Sequence, residues 1–344
     1  MRNLRVAIIG YGMQYSRFGT GTYLRNVREA LHKLSCQVDV FGLNRYSESS
    51  ISPILSMLSA IVLILKPWWR YDVILANEGS GAFVISTRKI AVIHHSAKEK
   101  AKRAGFSIPG ALAWLLQIIN MKTAKGVVAI STSTWNTIRP VSRNRPSRIV
   151  WNGVDHSTFN PNVRISREEL GLDENLTIAY AARSSPHKNL ESLLVLAKSI
   201  DLRMNIIFLG SQLPSVLLKE FSDLQGIRII NPGYVSIEKL VSYLREANFY
   251  ANVSKLEGFG LVQVEAMACG TPVVAFDTDE NRRILDRGGI VVTSLDMMAQ
   301  AIRKMWGDKR EYQKLTQQAL NRAKDFSWDQ TARDLLNFAK RLFV

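Results

Sequence analysis

Residues 257–275 read Glu257-Gly-Phe-Gly-Leu-Val-Gln-Val-Glu-Ala-Met-Ala-Cys-Gly-Thr-Pro-Val-Val-Ala275. One carboxylate, Glu257, sits on a turn. The bend at Gly258 and Gly260 follows and opens a helix, with a second carboxylate, Glu265, about two turns along it. Gly270 favours a left-handed cap that stops the helix. Pro272 prevents its continuation, and a buried apolar strand begins at Val273. Free backbone N–H groups at a helix start attract phosphate. Two acids flanking that start could hold hydroxyl groups, on a sugar and on a ribose. These parts together suit a nucleotide-sugar.

Outward from this stretch, strand-like runs alternate with helical patterns. Arg5–Ile9, Gln37–Phe41, Asp72–Leu75, Ile90–His94, Gly126–Ile130 and Arg148–Trp151 read as strands of a first half. Leu176–Ala182, Asn205–Leu209, Ile227–Ile230, Ala247–Ala251, Pro272–Phe276 and Gly289–Val292 read as strands of a second. Strands spaced by helices mean βαβ units and parallel sheets. One sheet of that width would be too large, so the chain of 344 residues is expected to split near 152–160 into two α/β domains. Trp328, Ala332, Leu335, Leu336, Phe338 and Ala339 recur at helical spacing in the tail, which predicts a terminal amphipathic helix.

A hydrophobic fraction of 47% and a charged fraction of 22% are ordinary for a globular protein, which excludes a disordered or fibrous chain. Cys36 and Cys269 are too few and too far apart for a disulfide framework, and no Cys/His metal spacing appears. With no secretory signal ahead of the first strand, the expected setting is reducing and cytoplasmic. The net charge of +16 is lopsided: residues 1–160 carry 21 Lys and Arg against 7 Asp and Glu, and the remainder 24 against 22. Basic clusters lie at Lys98, Lys100, Lys102 and Arg103, and at Arg139, Arg143, Arg145 and Arg148. Such a field attracts an anionic membrane surface or nucleic acid. No nucleic-acid module is recognisable, so nucleic acid is not an expected partner. Two apolar stretches, Ile51–Lys66 running into Pro67-Trp68-Trp69-Arg70-Tyr71, and Ile108–Met121 with Trp114, fit core helices or a peripheral membrane contact at the inner face of the cell membrane.

Candidate site residues cluster where predicted strands end. Arg183 and Lys188 share the loop after Leu176–Ala182, and an Arg and a Lys on one loop can neutralise a diphosphate. Glu265, between Val264 and Ala266, needs a hydrogen-bonded partner to be buried, and a ribose supplies one. Glu257 and Glu265, separated by a phosphate turn, do not read as a general acid/base dyad. His94 and His95 end an apolar strand, and open α/β sheets bind ligands at such ends; His94 is preferred. Gly10-Tyr11-Gly12 fails as a dinucleotide fingerprint because Tyr15 stands at the third glycine position. Gly19 and Gly21, just ahead of a helix from Tyr23, would let backbone approach a ligand closely.

Several of these pieces, in this order and spacing, resemble the family-4 (GT4) retaining glycosyltransferases of GT-B fold. They are Asn152-Gly-Val-Asp155, Arg183-x4-Lys188, Gly233-Tyr-Val235, Ser254-x-x-Glu257-Gly-Phe-Gly-Leu261, Glu265-Ala-Met-Ala-x-Gly-x-Pro272 and, more loosely, the Gly19/Gly21 loop, His94 and Ala129-Ile-Ser131. The resemblance is strongest over 149–292. It implies an α/β chain of two Rossmann-like, doubly wound parallel-sheet domains facing across a cleft. Residues 1–155 would form the acceptor side and 156–325 the donor side, with 326–344 a helix crossing back. It implies the catalytic set His94, Arg183, Lys188 and Glu257. Arg183 and Lys188 would hold the donor diphosphate, with backbone N–H groups at Gly260 and Leu261 and the adjoining Gly258 and Phe259. Glu265 would hold the ribose, Glu257 the transferred sugar, and Val235 the base, with Gly19 and Gly21 near the donor phosphates or acceptor.

The family needs no catalytic metal or cofactor, and Asp277-Thr-Asp279 is set aside as a metal pair. The implied partners are a nucleotide-sugar donor and a glycan or lipid-linked acceptor. The sequence departs from the family at His95, where an Asp is common, and in the loop after Phe276, which lacks the usual glycine pair. A nucleotide-sugar epimerase of GT-B fold and a non-catalytic sugar-nucleotide or glycan-binding protein are the alternative readings.

Overall fold

The computed structural model describes residues 3–10, 19–41, 63–98, 108–162, 165–182, 188–254 and 257–343. Arg183, Gly12, Tyr15, most of the 51–66 apolar stretch, and Lys100, Lys102 and Arg103 lie outside the described residues. The chain divides into two compact units, Met1–Gly153 with Ser327–Val344, and Val154–Phe326.

In the first unit, β1 (Arg5–Ile9), β2 (Gln37–Phe41), β3 (Val73–Asn77), β4 (Lys89–Ile93), β5 (Gly126–Ala129) and β6 (Ser147–Ile149) form one parallel sheet in the order β2-β1-β3-β4-β5-β6. Every residue of β3 and β4 is buried, as expected for strands covered on both faces. The helices are α1 (Gly19–Lys33), α2 (Ile108–Thr123), α3 (Thr132–Ser142) and, from the chain end, α11 (Trp328–Phe343). Lys89, inside β4, is wholly buried. Its ammonium donates to the carbonyls of Gly81 at 2.9 Å and Val84 at 2.8 Å and to Thr123 Oγ1 at 2.6 Å. Three donors thus meet three acceptors, and burial still pushes the lysine down to about 8.

In the second unit, β7 (Leu176–Ala182), β8 (Met204–Gly210), β9 (Ile227–Gly233), β10 (Phe249–Asn252), β11 (Val273–Phe276) and β12 (Gly289–Val292) form a second parallel sheet, ordered β12-β11-β10-β7-β8-β9. Helices α4 (Glu191–Ile200), α5 (Ser215–Ser222), α6 (Ile237–Glu246), α7 (Leu261–Ala268), α8 (Asp279–Leu285), α9 (Leu295–Gly307) and α10 (Lys309–Ala323) accompany it. The chain builds outward from β7 to β9, then restarts at β10 on the other side of β7. The switch point therefore lies between β7 and β10, where a doubly wound sheet opens a crevice at its strand ends. In the first unit the equivalent point lies between β1 and β3.

The amphipathic tail forms α11 and joins the first unit. Trp328, Ala332, Leu335, Phe338 and Ala339 are buried. Trp328 meets the Tyr23 ring edge-on at 5.9 Å, and Thr331 Oγ1 donates to the Trp151 carbonyl at 2.8 Å. Gly153 lies against the start of this segment: a Cβ there would stand 2.1 Å from the Trp328 nitrogen and 2.3 Å from the Ser327 carbonyl carbon. No side-chain rotation relieves a clash with backbone. Gly153→Ala is expected to lower unfolding stability by about 1–3 kcal/mol, read from urea denaturation; a variant as stable as wild type would show that this close approach is not required.

Candidate active site

The loops after β7 and β10 meet at the switch point of the second unit. Lys188 Nζ lies 2.6 Å from Glu257 Oε1, and both side chains are more than four-fifths buried. Two polar staples fix this meeting. Tyr180, near the end of β7, donates its hydroxyl to the Lys188 carbonyl at 2.8 Å and sits 2.7 Å from Ser254 Oγ. Asn189 holds a left-handed conformation at φ 54° and donates Nδ2 to the Val253 carbonyl at 3.2 Å. Asn tolerates that region better than most residues. Tyr180 and Asn189 escaped the sequence reading: a Tyr in an apolar strand and an Asn after a Lys carry no local sign of such contacts.

Gly260 caps α7 with φ 80°. The positive φ is what favours glycine there; a Cβ would also displace the end of the Gln263 side chain. Gln263 N donates to the Gly260 carbonyl at 3.0 Å, which leaves the first two amides of α7, those of Leu261 and Val262, without an intrahelical acceptor. At the other end, Gly270 N donates to the Met267 carbonyl and Thr271 N to the Ala266 carbonyl, a Schellman closure with Gly270 at φ 86°. Phe259 turns into the core against Phe326, ring centroids 5.8 Å apart. Its side chain is thus an anchor, and it can offer a ligand only its backbone. Gly258 lies in the bend beside it. Val235 is half-buried in the turn after β9, two strands or roughly 10 Å along the same sheet end from β7.

Glu265 is 8% exposed in the second turn of α7. Burial pushes its carboxyl up to about 7. Asp277 and Asp279, in contrast, are both taken up by Arg282, while Thr278 caps α8 through Asn281 N. Cys36 and Cys269 are buried free thiols.

In the first unit, α1 begins at Gly19, so Gly19 and Gly21 form its first turn and not a loop ahead of it. The loop reading failed because glycine's poor helix propensity was outweighed by the apolar face of Tyr23, Leu24, Val27 and Leu31, all buried. The two histidines are distinct. His94 is buried, and its Nε2 lies 2.9 Å from Asn77 Oδ1. Asn77 Nδ2 donates to the Ile9 carbonyl at 2.9 Å, which turns Oδ1 toward the imidazole and places the ring proton on Nε2. Burial pushes the imidazole down to about 4 against the raising pull of Glu78, with His95 adding to the downward shift, so the ring is neutral near pH 7.

His95 is half-exposed, its Nδ1 3.4 Å from Glu78 Oε1. Glu78 also accepts the backbone N–H of His94 at 2.8 Å and of His95 at 3.2 Å. The acid beside the histidines therefore comes from the end of β3. Glu78 sits at φ 52°, outside the usual range for its type, and α2 holds it there. Gln117 donates to its carboxylate and Asn120 to its carbonyl at 2.6 Å.

That grip turns two polar residues of α2 inward beside the buried Met121. Gln117 and Asn120 are buried while Ile108 and Leu115 are 79% and 51% exposed. Trp68 and Trp69 also part company. Trp68 packs on Phe41 and donates Nε1 to the Leu63 carbonyl at 2.8 Å, whereas Trp69 is exposed. No helix among the described residues is long and apolar enough to cross a membrane.

Two doubly wound parallel sheets, one with Lys188, Glu257 and a glycine-led helix start at its switch point, define a two-sheet α/β protein with a polar crevice at its strand ends. Residues 162–322, within the second unit, match the family model described as "Glycosyl transferases group 1". The D-inositol 3-phosphate glycosyltransferase of Nocardioides sp. is 32% identical over 226 residues, 57% of this chain and 49% of the relative. The chain spans about half the length of the curated relatives it matches in this way. The sucrose-phosphate synthase of Thermosynechococcus elongatus superposes with a TM-score of 0.82 at 20% identity, covering 99% of both chains. Anabaena Alr3699/HepE in complex with UDP and glucose superposes with a TM-score of 0.76 at 17% identity, covering 98% of this chain and 100% of the other. At these identities the likeness is one of fold, and that fold is GT-B.

The raised Glu265 carboxyl has a consequence for stability. The folded protein keeps a proton that the unfolded chain gives up near pH 4.5, so stability falls as pH rises from there through about 7. Glu265→Gln is expected to remove this loss and to gain up to about 3 kcal/mol at pH 8, measured by urea titration at pH 5 and pH 8. The same pH dependence in variant and wild type would show that Glu265 is not the group responsible.

Proposed function

We propose that the protein moves a sugar from a nucleotide diphosphate sugar to an acceptor hydroxyl with retention at the anomeric carbon. The observation that carries this reading is the meeting of Lys188, Glu257 and the start of α7 at one switch point. Curated relatives named as D-inositol 3-phosphate glycosyltransferases support it, and so does a fold relative with bound UDP and glucose.

In this mechanism the leaving diphosphate gains charge as its bond to the anomeric carbon breaks. The Lys188 ammonium and the opening amides of α7 stabilise that charge where it develops, together with Arg183. Glu257 accepts hydroxyls of the transferred sugar, and Glu265 those of the ribose. The Val235 turn frames the base. The acceptor oxygen bonds the anomeric carbon on the face the phosphate leaves, and its proton passes to the departing phosphate oxygen. His94, neutral and held by Asn77, is a hydrogen-bond donor and not an acid. The buried Lys188–Glu257 pair must loosen when the donor arrives, which ties diphosphate binding to sugar binding.

Lys188→Ala is expected to cost about 10²–10³ in kcat, measured with the preferred donor from a nucleotide-sugar screen. Wild-type turnover in that variant would remove the proposed phosphate role.

The acceptor is proposed to be lipid-linked or presented at a membrane surface. The exposed Ile108 and Leu115 on α2, the exposed Leu65 and Trp69, and the basic first half support this. Leu115→Asp is expected to reduce flotation with anionic liposomes several-fold; equal flotation of variant and wild type would count against membrane contact through α2.

A further inference from the structure

The arginine run at 139–148 divides in two. Arg148 is neutralised by Asp334 of α11 at 3.1 Å. Arg139, Arg143 and Arg145 instead line a groove of about 710 Å³ with Trp135 and Pro140. The groove lies where α3 ends and the chain turns into β6, at the amino end of the sheet. His94 follows β4 at the opposite, carboxyl end, so the groove and His94 lie at different ends of the same sheet.

The local structure builds it. Pro140 stands in the last part of α3, and the chain bends back through a bond from Arg145 N to the Ser142 carbonyl at 2.9 Å. Arg145 is held by a bond from its Nη2 to the Lys122 carbonyl at the end of α2. Trp135 rests one side on the core of α2 and β5. No acidic side chain lines the groove, and among the described residues neither Arg139 nor Arg143 forms an ion pair. The carboxyl end of α3 favours one cation there, but three guanidinium groups around one cavity repel each other and favour an anion between them. Guanidinium groups match phosphate oxygens in pairs, and an adjoining indole suits a carbon-bearing phosphate ester.

We propose that this groove is a second binding site, for a phosphate ester, built by Arg139, Arg143 and Arg145 at the end of the first-unit sheet away from His94. It does not rest on the glycosyl-transfer reading. Two sources share the chemistry: a soluble phosphate ester and an anionic phospholipid headgroup.

The test compares wild type, the pair Arg139→Gln/Arg143→Gln, and a charge-matched control, Arg25→Gln/Arg28→Gln, on the exposed face of α1. All four side chains are exposed, so each variant is expected to fold, checked by circular dichroism. Binding of glycerol 3-phosphate is followed by calorimetry, and binding of phosphatidylglycerol-containing vesicles by sedimentation. A loss of at least tenfold in either assay for the groove pair, with less than twofold for the control, supports the site. Loss in the calorimetric arm alone assigns a soluble ester, and loss in the vesicle arm assigns a headgroup. Equal losses in both variants, no loss in the groove pair, or no binding of either probe by wild type would overturn the proposal.

Discussion

The second unit depends on holding two loops together at the point where its sheet reverses direction. The loop after β7 and the loop after β10 are adjacent only because β10 pairs with β7 instead of with β9, its predecessor in the chain. The Lys188–Glu257 pair bridges them at 2.6 Å in a largely buried position. Removing one partner of such a pair leaves an uncompensated charge, at a cost of roughly 3–5 kcal/mol. Tyr180 and Asn189 fix the backbone on either side, so the charges meet without long side chains having to search for each other. Gly260, the cap of α7, follows three residues after Glu257, and this short reach puts the start of the helix beside the pair.

The first unit solves a similar problem with different chemistry. Its anchor is Glu78, a carboxylate on a left-handed residue, accepting two backbone amides from the end of β4. The strain is offset by Gln117 and Asn120, and α2 must turn these polar residues inward to reach it. The result is a helix whose apolar residues face partly outward. Lys89 shows the same logic: a buried cation satisfied by two carbonyls and a hydroxyl, holding the turn after β3 to the end of α2. In both units polar groups are buried where they fix a loop at a strand end, and the cost of burial appears in the lowered Lys89 and His94 and the raised Glu265.

Much of this was legible in the chain itself. All twelve strands of the described residues were anticipated, with ends shifted by up to three residues, because parallel strands covered on both faces are written as short apolar runs. The helix after Glu257, its glycine start and its glycine stop were also readable, because a positive φ at Gly260 and Gly270 is a local demand that only certain residues meet. The failures were equally physical. Gly19 and Gly21 entered the helix because burial of the face behind them outweighed propensity. Nothing local separates Trp68 from Trp69, or Arg148 from Arg139, since the difference lies in Leu63, Phe41 and Asp334.

Sequence by itself determined the alternation of strands and helices, the two-sheet class and the glycine-led start of α7, all of which follow from periodicity and backbone freedom within a few residues. Tertiary structure alone decided that Lys188 and Glu257, 69 positions apart, hold each other, and that the acid beside the histidines is Glu78. It also decided that α2 buries Gln117 and Asn120 and exposes Leu115. Burial of a polar group depends on partners that the strand order brings together, and that order is not written in any single stretch of the chain.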